Sequence, residues 1–303
     1  AVARVMGNAQ YGGLVLEPQV GLVPLGEDPD SHLEEFLHFE THEGPIPPAG
    51  DGARSTLGFD GNTPGPDTGI IFVLIPGGTY WMGAQKEDPN ERNYDPLMTA
   101  PEELANAPVH EVPVEAFLLS KYEMTRAQWE RSVHSSSRSK WPRKPATMVS
   151  WTNCERVLRR LGLVLPSEEQ WEWAARAGSA TPLFYGYLKT SFTQWANMAD
   201  ASIRGFYTEA RYRMGGTDLR AGQQDWMLRV NEVNDGQMVS APVGSYHANP
   251  WGLHDMHGNV AEWTRSEYVD YASGAPVGTP GRKAVRGGSW SDRPHRCTSG
   301  TSS

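Results

Sequence analysis

A chain of 303 residues with net charge −9 and an apolar share of 38% has room for one large domain or two small ones. No stretch approaches the roughly 18 consecutive apolar residues of a membrane helix, and no lysine or arginine run tracks a phosphate backbone, so membrane insertion and nucleic-acid binding are set aside. Gly 32 and Pro 23 put much of the backbone in loops and turns, and Trp 11 supplies large buried area where aliphatic residues are scarce.

The opening AVARVMGNAQYGG has neither the apolar core of a signal peptide nor an initiator Met, as expected of a processed chain or one cut from something longer. Two cysteines, Cys154 and Cys297, make no disulfide framework, and a cytoplasmic address is the default. Residues 1–69 read as an N-terminal extension of short strands and turns, because Pro, Gly and Asp separate its apolar bursts. Within HLEEFLHFETHEG, His32, His38 and His42 lie near Glu34, Glu35, Glu40 and Glu43. No two of these histidines have a familiar ligand spacing, so a strand is preferred to a metal site, with Phe36, Leu37 and Phe39 packing and the polar neighbours in water.

The main body, residues 70–303, begins with the apolar run Ile70 to Ile75, which predicts a buried strand. Pro76-Gly77-Gly78 then makes a turn, and Thr79 to Met82 a second strand. After a polar excursion, VHEVPVEAFLLSKYEMT reads as strand again. Three helices follow from their caps. Thr125 with Gln128 and Ser167 with Gln170 form capping boxes; Ser150 opens the helix between them, which Gly162 closes, and Gly178 stops the last. Cys154 lies on an apolar stripe of the middle helix and reads as an inert buried thiol. From TPLFYGYLKTSF to RVNEVNDGQM the pattern predicts mostly loop with aromatic anchors.

Several stretches in order, FVLIPGGTYWMG, KYEMTRAQW, MVSW, LGLVLPSEEQWEWAARAG, WANMAD, APVGSYHANPWGLHDMHGNVAEWT and VRGGSW, resemble the formylglycine-generating enzyme family, the sulfatase-modifying factors. The resemblance runs from about Phe72 to Trp290 and implies an α+β, C-type-lectin-like fold, loop-rich with little regular secondary structure. Family members normally end in a further strand. This sequence stops at GTSS, so either it is incomplete or another segment, with the N-terminal extension as the candidate, is expected in that place.

The same resemblance implies structural calcium. Hard oxygen ligands from irregular loops suit that ion. One site would use the side chains of Asp255 and Glu262 with the carbonyls of Gly258 and Val260; Asp255 stands where the family commonly has Asn. A second would join Asn197 and the Met198 carbonyl to Asp235 and the Gln237 carbonyl. His254 and His257 flank the first loop with no third ligand in view and read as turn or surface histidines.

Active family members oxidise a substrate cysteine to formylglycine with molecular oxygen, using copper(I) held between two thiolates. Alignment on Arg286-Gly287-Gly288-Ser289 puts Asp292 at the first thiolate position and Cys297 at the second. A hard carboxylate cannot complete a linear two-sulfur copper(I) site, so copper is not expected and Cys297 is catalytic only if the chain is active. Arg286 is expected to anchor the turn through charge-assisted bonds. The reading is a binding or scaffold module for a peptide, glycan or protein, with Trp290, Asp292, Arg293, His295 and Arg296 as its contact surface. In a variable-protein version of it, of the kind diversity-generating retroelements encode, residues 291–303 make the contacts. The alternative is a working formylglycine-generating oxidase; the histidine-triad iron of the ergothioneine-type branch would need a helical N-terminal domain that residues 1–69 do not suggest.

Overall fold

The run IFVLI becomes a strand buried along its whole length because it lies inside a sheet covered on both faces. The computed structural model describes residues 1–50, 53–59, 61–98, 104–203 and 229–302. A short helix α1 (Val2–Gly7) precedes β1 (Leu22–Glu27) and β2 (Glu34–His38). Then come β3 (Ile71–Ile75), β4 (Gly78–Met82), β5 (His110–Val114) and β6 (Phe117–Ser120). The main sheet is antiparallel in the order β1-β2-β3-β6, so both strands of the N-terminal extension belong to it, on the side of β3 away from β6. Phe36 and Phe72 face each other across β2 and β3 and pack in one cluster with Trp171, Ala174 and Ala175; Leu37 and Ile71 pair on the other face, with Leu57, Tyr122 and Val243.

β2 departs from the expected alternation. Glu34, Glu35 and His38 are buried with Phe36 and Leu37, whereas Phe39 is 47% exposed. The carboxylates are tolerated because each is paired. Glu34 binds Arg4, and Glu35 lies 2.5 Å from Lys121 Nζ, which also reaches Asp28 at 2.7 Å. Arg54 closes this network at 3.0 Å from Asp28 and 3.3 Å from Glu35. Burial works to raise Asp28, but the Lys121 charge and the Ser31 donors outweigh it and hold that carboxyl well below its usual range. At Glu35, more deeply buried, desolvation wins and the pKa rises. His38 Nδ1 lies within hydrogen-bond distance of the Thr41 hydroxyl at 3.2 Å.

The Pro76-Gly77-Gly78 turn does not close a hairpin. β4 leaves for a separate two-stranded sheet with β5, because β5 and β6 come from one segment that serves both sheets. The caps act as expected. Capping boxes open α2 (Arg126–Ser132) at Thr125 and α4 (Glu168–Arg176) at Ser167, and Ser150 caps α3 (Trp151–Arg160). The last turn of α4 ends with Ala177 and Gly178 both at positive φ. Cys154 is half-buried rather than buried, since α3 shows solvent part of its apolar stripe. Of the stretch expected to be loop, residues 204–228 lie outside the described residues; the described flanks contain isolated bridges and turns but no strand or helix of length. β7 (Glu262–Glu267) and β8 (Lys283–Arg286) pair last and deliver the chain to the RGGS turn.

Candidate functional site

β8 ends on Arg286, whose guanidinium is buried against the Trp171 ring, 5.2 Å from its centroid, and ion-paired with Glu172. Glu172 also holds Arg176 at 2.8 Å and accepts from the Gly83 N–H. Arg286 is therefore an anchor, as expected, and its fully buried side chain is withdrawn from any contact surface. Beyond it Gly287 and Gly288 take φ of 84° and 66°, and the chain reverses.

The reversal sets Asp292 and Cys297 in different surroundings. Asp292 Oδ2 accepts from the Ser289 N–H at 3.0 Å and its hydroxyl at 2.7 Å, so the carboxylate closes its own turn. Cys297 follows the 3-10 turn Pro294–Arg296 and is fully buried among Leu183, Phe192, Ala196 and Met198. Burial, then the Asp292 charge, push its thiol pKa well above the ordinary range, so it is a poor source of thiolate. Its carbonyl is bound by His257 Nδ1 at 2.6 Å, while His257 Nε2 accepts from the Phe184 N–H at 3.1 Å. Those partners fix the neutral Nδ1–H tautomer, and burial lowers the pKa to about 4. His254 is likewise buried, stacked on Tyr122 at 4.9 Å. Neither is the turn or surface histidine expected, because the loop carrying them passes through the core.

Of the predicted contact residues, Trp290, Asp292, Arg293 and His295 are half-buried and Arg296 is exposed. Next to Cys297, through His257, the aromatic residues of the stretch read as loop with aromatic anchors form a group: Phe184 stacks on His257, Tyr185 on Trp195, and Trp195 meets His247 at 5.2 Å. The Tyr185 and Ser299 hydroxyls are buried without a hydrogen-bond partner. Ser303 lies outside the described residues.

The loop 254–262 has its own hub, Asn259, at φ 55°. Its side chain donates to Glu123 at 2.6 Å and accepts from Asn197 and the Ala241 N–H, and its carbonyl accepts from the Trp290 N–H at 3.0 Å. Glu123 also accepts from the Val260 N–H at 2.9 Å. A Cβ on Gly258 would overlap the Asn197 carbonyl, so only glycine fits there. Glu123 and Asn259 were not singled out from sequence; the KYEMT and HGNV stretches that contain them were the available signal.

Three carboxyls meet around this hub, Asp255 and Glu123 buried and Glu262 half-buried. Asp255 is driven up to about 7 by burial. Glu262, which accepts from the Trp171 indole at 3.0 Å, is driven to about 7 by burial and less by Asp255. Glu123 is pushed further by burial and both neighbours. Asp255 Oδ2 accepts from the Gly244 N–H at 2.8 Å, but Oδ1 is buried with no partner, as is Asn197 Oδ1. Asn197 contacts Val239 and Asn259, while Asp235 sits with Gln237, Tyr246 and Asp200, and the Gln237 carbonyl accepts from the Ser202 hydroxyl. No group of three or more His, Cys, Asp or Glu is assembled as a metal site among the described residues. Two orphaned hard oxygens in like-charged, desolvated loops nonetheless suit calcium, which takes carbonyls with few carboxylates. For copper(I) the donor set does not fit: one buried thiol faces a carboxylate already committed to Ser289.

Comparison with known proteins agrees with this architecture. The family model of the sulfatase-modifying factor enzyme 1-like domain matches residues 64–303. The inactive C-alpha-formylglycine-generating enzyme 2 of Mus musculus is 32% identical over 149 residues, 49% of this chain and 38% of that protein. The formylglycine-generating enzyme of Streptomyces coelicolor is 31% identical over 157 residues, 49% of this chain and 43% of that protein. The chain thus spans about two fifths of the length of these curated relatives. Among solved structures, PvdO from Pseudomonas aeruginosa superposes with a TM-score of 0.53 at 20% identity, covering 78% of this chain and 88% of that one. Treponema denticola variable protein 1 does so at 0.50 and 17%, covering 78% and 90%; both likenesses concern the fold. No helix among the described residues is long and apolar enough to cross a membrane. The matched domain and the loop-rich α+β fold make this chain a member of the sulfatase-modifying factor enzyme 1-like domain family.

Proposed function

We propose that this domain is a ligand- or protein-binding module that does not carry out copper oxidation. The observation that carries the reading is Asp292: the position where the family resemblance puts the first thiolate holds a carboxylate, locked by two bonds to Ser289. The remaining thiol, Cys297, is fully buried and kept protonated. Trp290, Arg293, His295 and Arg296, with the neighbouring aromatic group, offer an edge that holds a peptide, glycan or protein without chemistry. The relatives carry both kinds of name, inactive enzyme and enzyme, so resemblance alone does not choose.

Calcium has a structural role in this reading. The side chains of Asp255 and Glu262 with the Gly258 and Val260 carbonyls hold one ion, and Asn197, Asp235 and the carbonyls of Met198 and Gln237 a second. What supports this is the orphaned oxygen on Asp255 and on Asn197. Where such a module belongs to the variable class, residues 291–303 differ between sibling copies while the Asn259 hub does not.

The test is to incubate the protein, copper(I) and oxygen with a cysteine-containing sulfatase-type peptide and weigh the peptide by mass spectrometry. The peptide mass is expected to stay unchanged. Conversion of its cysteine to formylglycine establishes the oxidase reading instead.

A further inference from the structure

We propose that the segment 126–160, on the loop between α2 and α3 and its flanks, is a docking surface for an acidic segment of a partner polypeptide. The segment carries nine Lys and Arg against two acids, Glu130 and Glu155, in a chain whose net charge is −9. Part of that positive charge is already spent. Arg131 binds the carbonyls of Thr41, Pro66 and Thr68, Arg138 pairs with Glu43, and Arg159 with Glu155. Arg126, Lys140 and Lys144 gather on the loop that holds Trp141. Arg126 donates to the Thr147 hydroxyl and the Pro145 carbonyl, the two lysines lie over the Trp141 ring at 5.3 and 5.6 Å, and none of the three has an acidic partner within 4.0 Å among the described residues.

Two large apolar side chains stand in this basic setting. Trp141 is 54% exposed and Met148 fully so. The loop that presents them is pinned: Lys144 and Pro142 carbonyls accept from the Arg126 and Ala127 N–H groups at 2.8 and 3.1 Å, and the Ala146 N–H binds the Met124 carbonyl at 2.8 Å. Such anchors lose little freedom on binding, and tryptophan and methionine are enriched where partners meet. Burial and the Arg126 charge hold the Lys144 ammonium below its ordinary pKa, a repulsion that an incoming carboxylate relieves. In a groove of about 500 Å³ beside the loop, Arg138 pairs with Glu43, Arg131 is held by backbone carbonyls and Glu130 accepts from the Ser139 N–H, and Asp67 adds a further acid to its lining. Lys140 and Lys144, the cations over the Trp141 ring, have no acidic partner within 4.0 Å among the described residues, whereas Arg156 and Arg160 are bonded to Asn153 and the Ser132 carbonyl.

An acidic peptide fits this face better than a nucleic acid. The remainder of the chain is strongly acidic and opposes an extended polyanion, whereas a short segment meets only the basic face.

Fluorescence anisotropy with a labelled peptide of about twelve residues, alternating Glu with Leu and Phe, tests the proposal. Wild type is expected to bind it with an affinity that falls as salt is raised. Lys140→Glu with Lys144→Glu weakens binding by at least about 10-fold and Trp141→Ala by about 5- to 30-fold, while Lys86→Glu, exposed outside the segment, changes nothing. Met148→Ala, at a fully exposed position, is a milder second variant that also weakens binding, and melting curves verify that each variant folds. The proposal is overturned if the peptide does not bind, if charge reversal leaves its affinity unchanged, or if single-stranded oligothymidine or phosphatidylserine vesicles bind this face more tightly. Sedimentation showing that the face instead joins two copies of the chain overturns it too.

Discussion

Gly288→Ala probes whether Cys297 is a packing group. Gly288 has φ +66°, and a Cβ there would enter the space of the Cys297 sulfur and come within 3.0 Å of the Arg296 carbonyl. The left-handed backbone costs a non-glycine residue about 1–2 kcal/mol, and overpacking a filled interior about 1–3 more. Gly288→Ala should therefore lose roughly 2–5 kcal/mol. Cys297→Ala alone removes one sulfur from the cluster with Leu183, Phe192 and Met198 and should cost about 1–2 kcal/mol. In the double variant the vacated sulfur space receives the new methyl group, while the backbone strain and the Arg296 contact remain. Its loss should fall short of the sum of the single losses by about 1–2 kcal/mol. Urea unfolding of the four proteins at one pH measures this, provided their m-values agree. Additive losses, within about 0.5 kcal/mol, refute the idea that the turn is built around the sulfur.

Three further outcomes follow from other contacts. Lys121→Met leaves Asp28 and Glu35 buried with only Arg54 and should destabilise by about 3–5 kcal/mol at neutral pH. Asp28 has a depressed folded pKa, so its contribution is present above its unfolded pKa near 4 and lost as pH falls. The deficit of the variant should thus narrow below about pH 4, and a deficit that is flat with pH argues against the network. Calcium at a hundred times its dissociation constant should add about 2.7 kcal/mol per site; Asp255→Ala and Asn197→Ala should each lose part of that gain in a calorimetric melt, and an unaltered response in both removes the calcium assignment. A disulfide reagent should label Cys154 while Cys297 resists until the protein unfolds, and prompt labelling of both thiols contradicts the burial of Cys297.

Much of the scaffold was legible where local chemistry decides. The capping residues Thr125, Ser150 and Ser167 act on the first turn of their own helices, within three positions, so their pattern suffices. The run IFVLI could be read as a buried strand for the same reason. Its partners could not: that β2 lies on one side and β6 on the other is a pairing across loops of many residues. Glu34, Glu35 and His38 were expected in water because polarity argues for exposure until a partner is known, and Lys121 is 86 positions from Glu35.

The candidate site divides the same way. The family resemblance put a carboxylate, Asp292, where a thiolate would stand, and residue types alone made Arg286-Gly287-Gly288 a turn, because glycine geometry is a property of the residue itself. Only the tertiary structure decided that Cys297 is sealed, that His254 and His257 lie inside, and that Glu123 reaches Asn259 from 136 positions away. Burial and the field of distant charges set those states, and both arise from how the whole chain packs rather than from any short stretch of it.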